Sequence, residues 1–252
     1  MSARKRLVIA SLVLGLFASL GGLVFALASG LPSEDASVYS MNPGLTQNAD
    51  KLRVEAGTPN CAASRTRWSY LKWNLADIPA GQVIGSAAMT LTVDLVNLGV
   101  APPGGPQVTL YQVIDDSWSE SSVTAANGSA MGTLIQSIAV PPTAPATITF
   151  DDASLTNYLQ QQADGDNVAS FGLALTGNCG EGTVLVRMYS KDQTVVGNYA
   201  FRPYLMITNP NAVTLTTFRS SDPALNWPLA AGVIALMGLA VAGGVLLRRR
   251  VA

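Results

Sequence analysis

Trp68, Tyr70 and Lys72 recur at every second position in a run that also holds Leu71, Trp73 and Leu75. In an extended strand this spacing puts the first three on one face and the second three on the other. A face that mixes rings with cationic ends suits a sugar polymer, because rings stack on apolar C–H faces while Lys and Arg donate hydrogen bonds to hydroxyls and carboxylates. Lys51 and Arg53 alternate in the same way with Leu52 and Val54, and Arg187 and Tyr189 with Val184, Val186 and Met188. The candidate ligand-binding residues are therefore Lys51, Arg53, Trp68, Tyr70, Lys72, Arg187 and Tyr189. A plainer arrangement also fits them: a solvated or loop-covered sheet face with salt bridges to Glu55 or Asp192.

Histidine is absent. That removes the usual neutral-pH base, the commonest metal ligand and the middle member of a Ser/His/Asp triad. Paired carboxylates for glycoside hydrolysis need a set separation that a sequence does not show, so no catalytic residue is assigned and the chain is read as no enzyme. Asp115, Asp116 and Glu120 around Trp118, the pair Asp151 and Asp152, and Asp164 with Asp166 offer oxygen ligands that a structural calcium could use. None forms an EF-hand loop, and turn and cap chemistry explains Asp152, Asp164 and Asp166; no cofactor and no metal ligand is assigned. Away from the ends, nine Lys and Arg face sixteen Asp and Glu, a balance that argues against nucleic acid as a partner. Five of those nine lie between Lys51 and Lys72, a local concentration that an anionic glycan could use.

These side chains need strands to hold them. Short runs rich in Val, Thr, Leu and Tyr, separated by Gly, Pro and Asn clusters, predict strands at 51–55, 68–75, 88–95, 108–113, 147–150, 171–176, 183–190 and 204–208. Residues 153–163 have Leu155, Tyr158, Leu159 and Gln162 at helical spacing behind Asp152, which predicts one short helix. The fold class is all-β: a β-sandwich or jelly roll of about eight or more antiparallel strands with that helix, flanked by N- and C-terminal hydrophobic helices.

At the N-terminus, Arg4, Lys5 and Arg6 precede an uncharged run closing on Ala26, Leu27 and Ala28. Residues 1–28 therefore read as a signal peptide, or as a signal anchor if uncleaved. Residues 29–40 read as a linker, 41–209 as the folded domain and 210–227 as a second linker. Residues 228–247 read as a transmembrane helix, retained or processed, and 248–252 as a cytoplasmic tail holding Arg248, Arg249 and Arg250 inside. The expected location is the cell membrane, single-pass, with the domain facing outside the cytoplasm. Cys61 and Cys179 are the only cysteines; an oxidising compartment would join them in a disulfide, the alternative being two buried thiols, and without histidine they cannot close a zinc site.

The order of motifs resembles the DNRLRE domain: residues 48–54 (Asn-Ala-Asp-Lys-Leu-Arg-Val), 69–75 (Ser-Tyr-Leu-Lys-Trp-Asn-Leu) and 78–81 (Ile-Pro-Ala-Gly) come first. Ile84, Ser86, Ala87 and Leu91, then Val108-Thr109-Leu110-Tyr111, Trp118-Ser119-Glu120, Ser122-Val123-Thr124 and Arg202-Pro203-Tyr204-Leu205 follow. The sequence departs from the pattern at Ala125-Ala126-Asn127, where the family usually has Trp-Asn, and at Trp73, where phenylalanine is more usual. The resemblance implies a β-sandwich carbohydrate-binding module that binds and does not cleave. The expected partners are a polysaccharide or cell-surface glycan, with acidic polymers favoured, and the membrane through the C-terminal helix. The alternative is a structural or adhesive cell-surface protein without glycan binding; oligomeric state stays open.

Overall fold

The computed structural model of the chain describes residues 26–47, 50–57, 65–98, 105–179, 182–195 and 197–209. Eleven strands and one α-helix build this part. In chain order they are β1 (Ala26–Gly30), β2 (Glu34–Tyr39), β3 (Lys51–Ala56), β4 (Arg65–Asn74), β5 (Ser86–Asn97), β6 (Pro106–Val113), β7 (Met131–Ala139), β8 (Ala146–Phe150), α1 (Ala153–Ala163), β9 (Val168–Gly177), β10 (Val184–Tyr189) and β11 (Tyr204–Thr208).

The pairing, antiparallel throughout, makes two layers joined at one corner. In the first layer β5 pairs with β8 along one edge and with β11 and then β10 along the other; β10 continues to β3, and β11 to β1. In the second, β2, β4, β9, β6 and β7 lie side by side. Among the described residues, the ladder that joins the layers is two pairs long, Glu55 with Arg67 and Ala56 with Arg65, with a register shift between them. A sheet turning this sharply interrupts its regular ladder, and hydroxyls satisfy the freed backbone groups. The Arg53 N–H donates to Ser37 Oγ at 2.8 Å, and Ser69 Oγ donates to the Arg53 carbonyl at 2.8 Å. The expected sandwich is thus one curled sheet whose two halves enclose a common core.

Inward positions follow the period of two. Leu52 and Val54 of β3, Leu71 and Trp73 of β4, Met89, Leu91 and Val93 of β5, and Val184, Val186 and Met188 of β10 all enter one buried cluster. β9 differs: it is buried along most of its length because both of its faces are covered. Ala169, Phe171, Leu173 and Leu175 point into the core, while small residues occupy the other face. A Cβ on Gly172 would come within 2.9 Å of the Met131 side chain. Phe171 meets Trp73 and Tyr158 edge to face, with ring centroids 5.7 and 5.2 Å apart, a favoured aromatic geometry.

α1 matches the expected span. Asp152 caps it by accepting from the Ser154 N–H at 2.8 Å, and Leu155, Tyr158 and Leu159 are buried in the main core. Its polar face also serves the sheet: Gln160 Oε1 accepts from the Ile84 N–H and Thr156 Oγ1 from the Ala87 N–H. The helix therefore caps open backbone at the start of β5 while plugging one end of the core.

Three strands depart from the expectation. Residues 29–40 are no linker, because they contain β2, whose middle four residues are buried. β2 escapes a hydrophobic reading because two of those four are Asp35 and Ser37. β7 is an edge strand with little burial beyond Ile135. β1 pairs with β11 from Ala26 to Gly30, so the expected leader, residues 1–28, ends inside a strand. The rest of that leader, the 228–247 span, the second linker and the tail lie outside the described residues, as does Cys61. No helix among the described residues is long and apolar enough to cross a membrane. Cys179 is fully buried and is not a free thiol.

Candidate functional site

The seven candidate residues fall on two different faces. Trp68, Tyr70 and Lys72 stand on the outer face of β4, and that face is covered. The segment between β6 and β7 folds back over it, and Tyr70, Val113, Trp118, Val123, Ala36 and Val38 form a second buried cluster with Trp68 packed against it. Tyr70 is 1% exposed and Lys72 8%. The Tyr70 hydroxyl accepts from Trp68 Nε1 at 2.9 Å and donates to the Ser129 carbonyl at 2.7 Å. Lys72 Nζ donates to Glu34 Oε1 and to the Trp118 carbonyl, and it sits 4.4 Å from the Trp118 ring. Trp118 Nε1 in turn donates to Ser170 Oγ at 2.7 Å. Tyr70 and Lys72 are therefore corrected to structural residues: a glycan reaching them would have to displace a packed layer whose polar groups are already satisfied.

The other four share the outer face of the first layer. Cross-strand register sets Arg53 directly opposite Arg187 and Lys51 directly opposite Tyr189. Lys51 Nζ lies 3.4 Å from the Tyr189 ring centroid and 2.8 Å from Asp94 Oδ2. Arg187 Nε donates to Asp94 Oδ1 at 2.9 Å. Asp94 thus anchors two cations at once. Burial works to raise its pKa, but the bonds from Arg187 and Lys51 overcome that and hold it below the usual carboxylate value. The same bond raises the Arg187 pKa. Among the described residues, the Arg53 guanidinium has no carboxylate within ion-pair distance.

Because the Arg53 N–H and C=O both point toward the corner, Arg53 and Arg187 form a pair without mutual backbone hydrogen bonds, the kind in which facing side chains stand closest. Like charges directly opposite one another oppose folding. Beside them the aromatic surface extends further than the sequence reading expected. Phe201 packs on Tyr189 with centroids 5.3 Å apart, and Arg202 stacks over Tyr199 at 4.4 Å. Tyr199 and Phe201 are 47% and 37% exposed. Asp94, Tyr199, Phe201 and Arg202 were missed; two aromatics and an arginine within residues 199–202 were the available signal.

Of the carboxylates singled out as possible ion ligands, Asp116 and Asp166 come together. Burial first, then a hydrogen bond and like charge from Asp166, raise the Asp116 pKa. Asp115 and Asp152 are held low by backbone N–H donors at turns and caps. Glu120 instead joins Asp35 and Asp192.

Replacing Asp94 by Asn tests the anchoring role. The variant is expected to lose about 1–3 kcal/mol of unfolding free energy at neutral pH. A group with a depressed folded pKa stabilises above its unfolded value and stops doing so as pH falls through the folded one. The gap between wild type and Asp94→Asn, read from urea melts, should therefore close as pH drops below 3.8.

An antiparallel curled sheet with fixed cations and exposed rings on the outer face of one half has the construction of a recognition module. Residues 29–209 match the model of carbohydrate-binding module family 96, and the chain belongs to that family. No curated protein matches the chain. Among solved structures it aligns with the K1 cleaved adhesin domain of Lys-gingipain from Porphyromonas gingivalis W83, at 10% identity over 73% of this chain and 96% of that one. The TM-score is 0.26, and nothing is argued from that likeness.

Proposed function

We propose that this chain is a non-catalytic, DNRLRE-type carbohydrate-binding module, held at a cell surface by its apolar C-terminal segment, that takes acidic polysaccharide on the outer face of β3 and β10. Arg53, Arg187 and Lys51 supply charge-assisted hydrogen bonds to uronate carboxylates, while Phe201, backed by Tyr189, supplies a stacking surface for a sugar ring. The observation that carries this reading is the Arg53–Arg187 pair. A cation with no ion-pair partner among the described residues, set opposite another cation in the closest class of cross-strand pair, works against folding and suits an anionic ligand. A bridge between Cys61 and Cys179 and an extracytoplasmic location belong to the same proposal.

Affinity electrophoresis of the purified protein through gels containing polyuronate or neutral polysaccharide tests it. Retardation by the polyuronate that weakens as ionic strength rises supports the reading. Equal mobility in every gel, with a folded protein, would leave the structural or adhesive surface role instead.

A further inference from the structure

We propose that Asp35, Glu120 and Asp192 form a binding site for a calcium ion that ties three separate segments of the fold together. Asp35 lies on β2, Glu120 in the segment that covers the outer face of β4, and Asp192 in the turn after β10. One carboxylate oxygen from each lies within 4.8 Å of the others. Calcium–oxygen distances are about 2.3–2.6 Å, so a single ion can touch all three.

Among the described residues, one oxygen of Asp35 and one of Asp192 have no hydrogen-bond partner. Asp35 is 1% exposed; its Oδ2 accepts from the Lys191 N–H at 2.6 Å, but its Oδ1 is buried with no hydrogen bond. Asp192 Oδ1 accepts from Lys191 Nζ at 2.9 Å, and its Oδ2 is likewise buried and unpartnered. Native folds rarely leave such atoms unsatisfied, and two in one carboxylate cluster point to a missing positive centre.

Charge gives the same answer. Glu34 joins the cluster by accepting from the Glu120 N–H, and Lys72 by pairing with Glu34. Lys191 Nζ lies 2.8 Å from Glu120 and 2.9 Å from Asp192. Four carboxylates against two ammonium groups leave two negative charges when all are ionised, which one divalent cation balances. The ligands are all carboxylate oxygens, the donor set of a hard cation, and the absence of histidine disfavours zinc. On Asp35 and Asp192 the unpartnered oxygens are not the atoms that accept from Lys191, so those two bonds can stay, while Glu120 Oε2 is shared with Lys191 Nζ and the Asp35 N–H.

The test uses the whole purified protein, stripped with a chelator and titrated with calcium, with magnesium in a parallel arm. At a hundredfold excess over Kd, calcium should raise Tm by about 5 °C or more. Terbium should show luminescence sensitised by Trp118, two residues from Glu120. Asp192→Asn, at a half-exposed turn, should fold and bind calcium at least tenfold more weakly. Asp166→Asn, in the other carboxylate pair, should behave as wild type. No calcium-dependent Tm shift and no terbium signal would overturn the proposal. A shift that survives in Asp192→Asn but disappears in Asp166→Asn would overturn it too, as would magnesium matching calcium.

Discussion

Replacing Trp118 by Ala is expected to lower the unfolding free energy by about 3–5 kcal/mol, the range for removing a buried large aromatic side chain. Trp118 is 6% exposed, faces Tyr70 at 5.4 Å, carries Lys72 over its ring and donates to Ser170 of β9. Its loss would leave a void above β4 and take away the ring that the Lys72 ammonium rests on. Denaturant melts read the effect; a loss below about 1 kcal/mol would mean that the covering segment does not pack as described. Under conditions where the variant is still folded, polyuronate binding should be retained, because Trp118 and the β3–β10 face belong to different layers. If Trp68, Tyr70 and Lys72 were the glycan face, uncovering them would instead strengthen binding.

Arg53→Ala should act in the opposite sense. Removing one member of a facing like-charge pair should leave stability unchanged or raise it by about 0.2–1 kcal/mol. Binding of polyuronate should weaken about tenfold or more, since a hydrogen bond to a charged group contributes about 1.5–3 kcal/mol. The remaining binding should also depend less on salt. A residue kept for the fold would show the reverse, a drop in Tm with affinity intact, and that result would remove the argument for an anionic ligand on this face.

The strands that carry the main core were legible in the sequence because each has one apolar face. Leu52 with Val54, and Val184 with Val186 and Met188, announce both their strands and their inward side. The helix was legible for a similar reason: the cap at Asp152 and the spacing of Leu155, Tyr158 and Leu159 agree. β2 was hidden because a buried carboxylate and a buried serine stand where apolar residues would be expected, and their burial makes sense only once Lys191, Ser69 and the β3 backbone are beside them. β7 was hidden because an edge strand needs little apolar surface.

Three of the seven candidate residues lie on a covered face, which escaped the sequence reading for a related cause. Alternation says that Trp68, Tyr70 and Lys72 share a face, and they do. It says nothing of a segment some fifty residues downstream that covers the face, and only Trp118 and Val123 hint at it. The Arg53–Arg187 contact is long-range register, set by β3–β10 pairing, and no local pattern contains it. The coarser class, a carbohydrate-binding module, was more robust, since it depends on motif order along the chain and not on which side each residue faces.

The first and last strands of the described fold are neighbours, with Ala26 opposite Thr208 at the shared end of the β1–β11 ladder. Tension applied across the two ends would therefore open that ladder like a zipper, one hydrogen bond after another. A module gripped by one end and loaded through β3 and β10 would be pulled differently. Such a load would cross the β11–β5 and β5–β10 ladders, whose bonds run perpendicular to the strands, so where it acts along the strands several bonds would resist at once. The same domain would thus be mechanically weak in one attachment and strong in the other.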